Sequence, residues 1–289
     1  MNWFYIVFTG VMFGSLGLCT KYLTGEGISP FLCAAIPFAI TGLLAVVVSR
    51  RILPDTPWIL GMALGSINAA APALLFNIGF NELPASVVTI VLALGPVFTA
   101  VTAHFVMHDD RFTLAKVAGL VVSFAGVGIL AGAPSGAVSS LPALLVTLAG
   151  AAVSGSSLVW VKRITLTYPP RIVLPAMMTG AGVTALVVAS LTGNPPWSLR
   201  AGAGEIALLV AMGVGGLLTF YSSLKANELN PASRAGLMGY LVPLVGVLGG
   251  VLLFSEPLTV SLLFGGAAII AGVGLVGGAN RAEVAIPSG

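Results

Sequence analysis

The amino-acid sequence predicts an all-α integral membrane protein of ten transmembrane helices, arranged as two inverted five-helix repeats around a central cavity. Three observations carry the prediction. Of the 289 residues 57% are hydrophobic and 7% charged, with a mean hydropathy of +1.07, whereas an ordinary soluble domain carries about 25% charged residues. Ten apolar runs approach the ~20 residues that a helix needs to cross the hydrocarbon core. Two stretches of the chain also read alike at a nearly constant offset. A soluble fold of this length has no way to hide so much apolar surface, because its exterior still needs polar cover.

The spans fall at about 3–20, 30–49, 57–80, 84–107, 112–132, 141–161, 171–192, 204–225, 231–254 and 258–278. Turn and charge signals separate them: Gly25 to Gly27, Arg50 to Asp55, Glu82 to Pro84, His108 to Arg111, Pro134 to Gly136, Lys162 to Pro170, Gly193 to Arg200, Glu228 to Pro231, and Glu256-Pro257. The first run lacks a basic leader and a small-residue cleavage site, so it reads as a retained span and not as a signal or transit peptide.

An even number of spans places both termini on one side. That side receives Arg50, Arg51, Arg111, Lys116, Lys162, Arg163, Arg171, Lys225, Arg234 and Arg281, while the other receives only Lys21 and Arg200. Short loops rich in Lys and Arg stay in the cytoplasm, so both termini are expected inside, in a bacterial inner (plasma) membrane. The basic excess is thus topological and points to no nucleic acid. Cys19 and Cys33 lie in apolar segments and read as buried thiols; both fall toward the outer face, which leaves a disulfide between them open.

The internal repeat is read residue by residue. Asn81-Glu82-Leu83-Pro84-Ala85-Ser86 is answered by Asn227-Glu228-Leu229-Asn230-Pro231-Ala232-Ser233, and Leu94-Gly95-Pro96-Val97 by Leu241-Val242-Pro243-Leu244. Asp110, Thr113, Gly119, Gly126-Val127-Gly128 and Gly132 recur 146 residues later as Glu256, Thr259, Gly265, Gly272-Val273-Gly274 and Gly278. Gly14-Ser15 and Lys21 correspond more weakly to Gly155-Ser156 and Lys162. The division is therefore a first repeat at 1–132, a linker at 133–140, a second repeat at 141–279 and a cytoplasmic tail at 280–289. Five crossings per repeat is an odd number, so the second copy enters the membrane upside down, an arrangement that in many secondary transporters holds substrate near the midplane.

Within the spans, polar side chains mark the candidate lining of the cavity, because an unpaired polar group in hydrocarbon is costly. They are Ser15 in the first helix, Asn68 in the third, Thr99 in the fourth, and Ser156 and Ser157 in the sixth. Thr219, Tyr221, Ser222 and Ser223 in the eighth and Tyr240 in the ninth complete the set. Ser and Thr often satisfy themselves on their own helix backbone, so Asn68 and Tyr240 stand out. Trp160 offers a stacking surface or, next to Lys162-Arg163, belongs to the interfacial aromatic belt. Pro96 and Pro243 occupy equivalent places in the fourth and ninth spans and read as paired hinges or static bends. Glycines four apart, at 10/14, 61/65, 128/132, 246/250 and 274/278, suit close helix packing. No acidic residue falls near the midplane, so a carboxylate proton relay is not evident. His104, about one turn inside the fourth helix, is either a group titrating near neutrality or an interfacial packing residue. Lys21 either attracts a substrate carboxylate or snorkels to the headgroups.

Nearly the whole chain resembles the EamA-type branch of the drug/metabolite transporter superfamily. The likeness is most specific at Ala226 through Ser233, Tyr240-Leu241-Val242-Pro243, Ser255-Glu256-Pro257-Leu258-Thr259 and Gly265 through Gly274. In the first half Asp110-Arg111 stands where the second has Glu256-Pro257. The resemblance implies a cavity lined by helices one, three, four, six, eight and nine, with five and ten peripheral. It also implies the movement of small organic solutes, often outward; bacterial exporters of aromatic and other amino acids share the plan.

The functional expectation is a secondary transporter that exports small metabolites, such as aromatic or other neutral amino acids, by alternating access. A passive facilitator or channel is the alternative. A membrane-embedded enzyme is disfavoured, since no HExxH motif, Asp-rich metal site or facing Ser–His pair is present. No cofactor or metal is expected. The partners are a small-molecule substrate and the lipid bilayer, and a monomer suffices for this plan.

Overall fold

The computed structural model describes residues 3–49, 56–106, 113–131, 138–168, 170–229 and 238–285, and among these there is no strand. The first span is Trp3–Gly25 and the second Pro30–Ser49. The third is a composite of Thr56–Gly65, a π turn at Ser66–Ala70, and Ala71–Glu82. The fourth is split into Ala85–Leu92 and Gly95–Val106. The fifth to eighth are Leu114–Ala131, Leu141–Thr167, Pro170–Leu191 and Ala203–Leu229, followed by Met238–Phe254 and Val260–Ala285. Among the described residues nine of these are long and apolar enough to cross a membrane, and Met238–Phe254 is a shorter apolar helix. The charged breaks Arg50 to Asp55 and His108 to Arg111, and the Asn230 to Arg234 entry to the ninth span, lie outside the described residues.

Local chemistry sets several boundaries. The first span closes on Gly27 at φ +83°, with the Ile28 N–H bonded to Leu23 O (3.0 Å) and the Gly27 N–H to Thr24 O (3.1 Å). Gly193 at φ +78° ends the seventh span in the same way, through Asn194 N–H on Ala189 O (2.8 Å). Both are Schellman caps, which glycine enters without a Cβ penalty. Ser140 caps the sixth span by accepting from the Ala143 N–H at 3.3 Å. The fourth span breaks after Leu92, four residues before Pro96, where a proline ring meets the carbonyl of the turn before it. Pro243 lies buried inside a continuous helix.

Helix packing repeats under exchange of the two halves. The first span packs on the eighth and ninth, and the sixth on the third and fourth; the second packs on the eighth, and the seventh on the third. The pairs that such an exchange maps onto themselves, second with seventh, fifth with tenth and fourth with ninth, are all in contact. Fifth and tenth pack chiefly on each other, as peripheral elements do.

Backbones approach closely at glycines. A Cβ at Gly42 would lie 2.9 Å from Met178 O, and one at Gly182 2.9 Å from Phe38 O, across the second–seventh crossing. Gly65 faces the Met177 backbone and Gly180 the Met62 backbone between third and seventh spans. Gly10 and Gly14 meet Leu241 and Val245 of the ninth span. At the fifth–tenth crossing Gly128 and Gly274 miss the contact, and Gly132 lies outside the described residues. Gly119, Gly126, Gly265 and Gly272 make it, Gly128 meets nothing within 4 Å, and Gly274 has only the Tyr240 hydroxyl at 3.6 Å.

At the end away from the chain termini, the first span packs on Ala71–Glu82 and on Ala85–Leu92. The first, third and fourth spans thus pack together at the end away from the termini. The segment of the ninth span that answers Ala85–Leu92 in the repeat lies largely outside the described residues.

Candidate functional site

Asn68 lies on the π turn of the third span, where one residue too many for a regular helix shifts the helical register. Turns of this kind are rare and occur often at functional sites. Its Nδ2 donates to Ser157 Oγ at 2.9 Å, and that hydroxyl donates to Ser154 O at 3.0 Å. The fourth span adds Thr99, whose hydroxyl is shared between Gly95 O of its own helix (3.0 Å) and Gly155 O of the sixth (2.9 Å). Thr102 Oγ1 donates to Ser156 Oγ at 2.9 Å. Gly155 permits this approach, since a Cβ there would overlap the Gly95 carbonyl.

Asn68, Thr99, Ser156 and Ser157 are thus brought into one uncharged polar seam where the third, fourth and sixth spans meet. The described central segments 61–80, 88–105 and 144–161 contain His104 as their one ionisable side chain apart from thiols and phenols. A second polar link lies beside it, from Ser66 to Thr184 of the seventh span at 2.7 Å. Thr41 of the second span donates to Gly213 O of the eighth at 2.7 Å. Sequence reasoning named neither, because Ser and Thr show no sign of whether they bond within a helix or across to another.

The other candidates are placed elsewhere. Thr219 is fully buried and satisfies itself on Gly215 O at 2.6 Å. Ser222 is buried, Ser223 and Ser15 half-buried, and Tyr221 exposed. Tyr240 is half-buried on the ninth span, with its hydroxyl toward Gly274 of the tenth. Trp160 is exposed, with the Arg163 guanidinium 5.7 Å above its ring, which is the pairing of an aromatic with a cation found near headgroups. His104 is exposed beside Phe105, the rings 5.2 Å apart. Cys19 and Cys33 are free thiols. Among the described residues no three His, Cys, Asp or Glu side chains come together as metal ligands would.

Lys21 is half-buried, and its Nζ donates to Leu83 O at 2.8 Å, tying the first span to the end of the third. Beside it is a carboxylate that sequence reasoning passed over. Glu256 Oε1 accepts from the Ala85 N–H at 2.6 Å, and Oε2 accepts from the Ser86 N–H at 3.0 Å and the Ser86 hydroxyl at 2.7 Å.

The EamA-like transporter family matches the chain twice, over residues 2–132 and 141–278. An uncharacterized transporter of Archaeoglobus fulgidus is 26% identical over 284 residues, which cover 94% of this chain and 95% of that protein. The uncharacterized transporter YvbV of Bacillus subtilis is 26% identical over 268 residues, 90% of this chain and 86% of that one. A crystal structure superposes with a TM-score of 0.64 at 21% identity, covering 96% of this chain and 97% of its own, a likeness of fold.

Proposed function

The chain belongs to the EamA-like transporter family, and on that premise we propose that it is a secondary transporter exporting small neutral metabolites, aromatic or other neutral amino acids among them, by alternating access. The units that move are the repeats 1–132 and 141–279, and both termini lie in the cytoplasm of a bacterial inner membrane. The observation that supports the substrate class best is the uncharged seam of Asn68, Ser157, Thr99 and Ser156. A site of amide, hydroxyl and carbonyl groups suits a neutral or zwitterionic solute, whereas a polyanion needs fixed cations to offset its desolvation.

Proteoliposome uptake across a panel of amino acids, sugars and cationic drugs, with and without a pH gradient, tests this reading. Saturable movement of Trp, Phe, Tyr, Thr or Met is expected. Movement of a phosphosugar with all five ignored contradicts it.

A further inference from the structure

The Glu256 contacts are unusual in how much of the local backbone is arranged to make them. Ser255, immediately before, has φ +54°, the one non-glycine positive φ among the described residues. Side chains disfavour that region, and strain held there tends to mark functional positions. The Glu256 N–H bonds back to Gly250 O at 3.0 Å, and Gly250 leaves the space that the carboxylate fills, since a Cβ there would overlap Oε2. The carboxylate then receives the first amides of the fourth span, which have no partner within their own helix and carry its positive dipole end. Glu256 belongs to the second half of the chain and Ala85-Ser86 to the first. The bond therefore joins the halves at the end away from the termini, where the first span packs on the third and fourth, next to the Lys21 link to Leu83.

We propose that Glu256 is the pin of a gate at the end away from the termini. Its carboxylate holds the fourth-span N-terminus to the second half while that end is closed, and it lets go of Ala85 and Ser86 when the end opens. This rests on the alternating-access reading above. Glutamine at this position keeps the shape and loses the function: its NH₂ is a donor, so one of the two groups of opposing donors is left facing another donor. The unpaired amide then favours the open arrangement, a shift of population rather than a loss of fold.

The test is thiol accessibility in a Cys19→Ala, Cys33→Ala background carrying Leu18→Cys. Leu18 is 8% exposed and lies against Gly249 of the ninth span, between the halves. A membrane-impermeant maleimide is applied to each face of oriented vesicles. Glu256→Gln should raise labelling from the face away from the termini about tenfold or more, as loss of hydrogen bonds to a charged group implies. Ser86→Ala, which removes one of three donors, should give a smaller rise from the same face. Gly250→Ala, which crowds the carboxylate and keeps its charge, is a second route to the same opening should Glu256→Gln not fold. Labelling that stays at the parent rate in a folded Glu256→Gln or Gly250→Ala protein overturns the gate. Faster labelling in a protein that exchanges no solute upholds the gate and removes the transport reading instead.

Discussion

Gly126 and Gly128 lie two residues apart on the fifth span, and alanine at each should act in opposite directions. A Cβ at Gly126 would lie 2.6 Å from Gly265 O, 2.8 Å from Ile269 Cγ1 and 3.0 Å from Ile269 N. Two of those atoms are backbone, so relief requires the tenth helix to move. Overpacking of this kind costs about 1–3 kcal/mol. Gly128 is exposed and a Cβ there meets nothing within 4 Å. Both substitutions gain the roughly 0.5–1 kcal/mol by which alanine exceeds glycine within a helix. That gain is common to the two variants, so their difference isolates the helix–helix contact at about 1–3 kcal/mol. Reversible denaturant titration of Gly126→Ala and Gly128→Ala in the same micelle, followed by helical signal, reads the difference directly. Gly128→Ala should equal or exceed the parent and Gly126→Ala should fall below it. Equal stability, or the opposite order, refutes the fifth–tenth packing described above.

Other outcomes follow from the same geometry. Asn68→Ala and Ser157→Ala remove the two ends of one hydrogen bond, so a double-mutant cycle on stability should give a coupling of about 0.6 kcal/mol and at most about 1.7, the range for interhelical hydrogen bonds in membranes. Strict additivity contradicts the bond. Each single variant should lower transport while leaving folded protein in the membrane, and wild-type transport by both removes the seam from the substrate path. Reporter tags at the amino and carboxyl ends should both lie on the cytoplasmic side; tags on opposite sides mean an odd number of crossings and undo the inverted repeat.

The bundle was legible in the sequence because its determinants are local and repeated. Span length follows from bilayer thickness, and the side of each loop from where Lys and Arg collect. The pairing of halves follows from an offset that holds from Asp110 to Gly132. What escaped was whatever depends on a distant partner or on a change of helical register. The π turn at Ser66–Ala70 leaves no mark in composition, yet it carries Asn68 and its link to Ser157. Glycine spacing pointed to Gly128, but the contact face turns by two residues to Gly126, a rotation that only the tenth helix decides. Glu256 was visible as an acidic-Pro turn, while its partners Ala85 and Ser86 lie about 170 positions earlier and are chiefly backbone amides, which no side-chain pattern reveals. Lys21 shows the same blindness, since its acceptor is a carbonyl. Pro96 and Pro243 occupy matching places in the repeat, yet the fourth span breaks and the ninth runs on.

Alternating access requires a site that opens to one side at a time. Counterflow addresses that claim most directly: proteoliposomes loaded with an unlabelled neutral amino acid are diluted into a trace of the labelled form. An alternating carrier should accumulate label transiently above the outside concentration, with a rate that saturates. Label that merely equilibrates, at a rate linear in concentration, would contradict it.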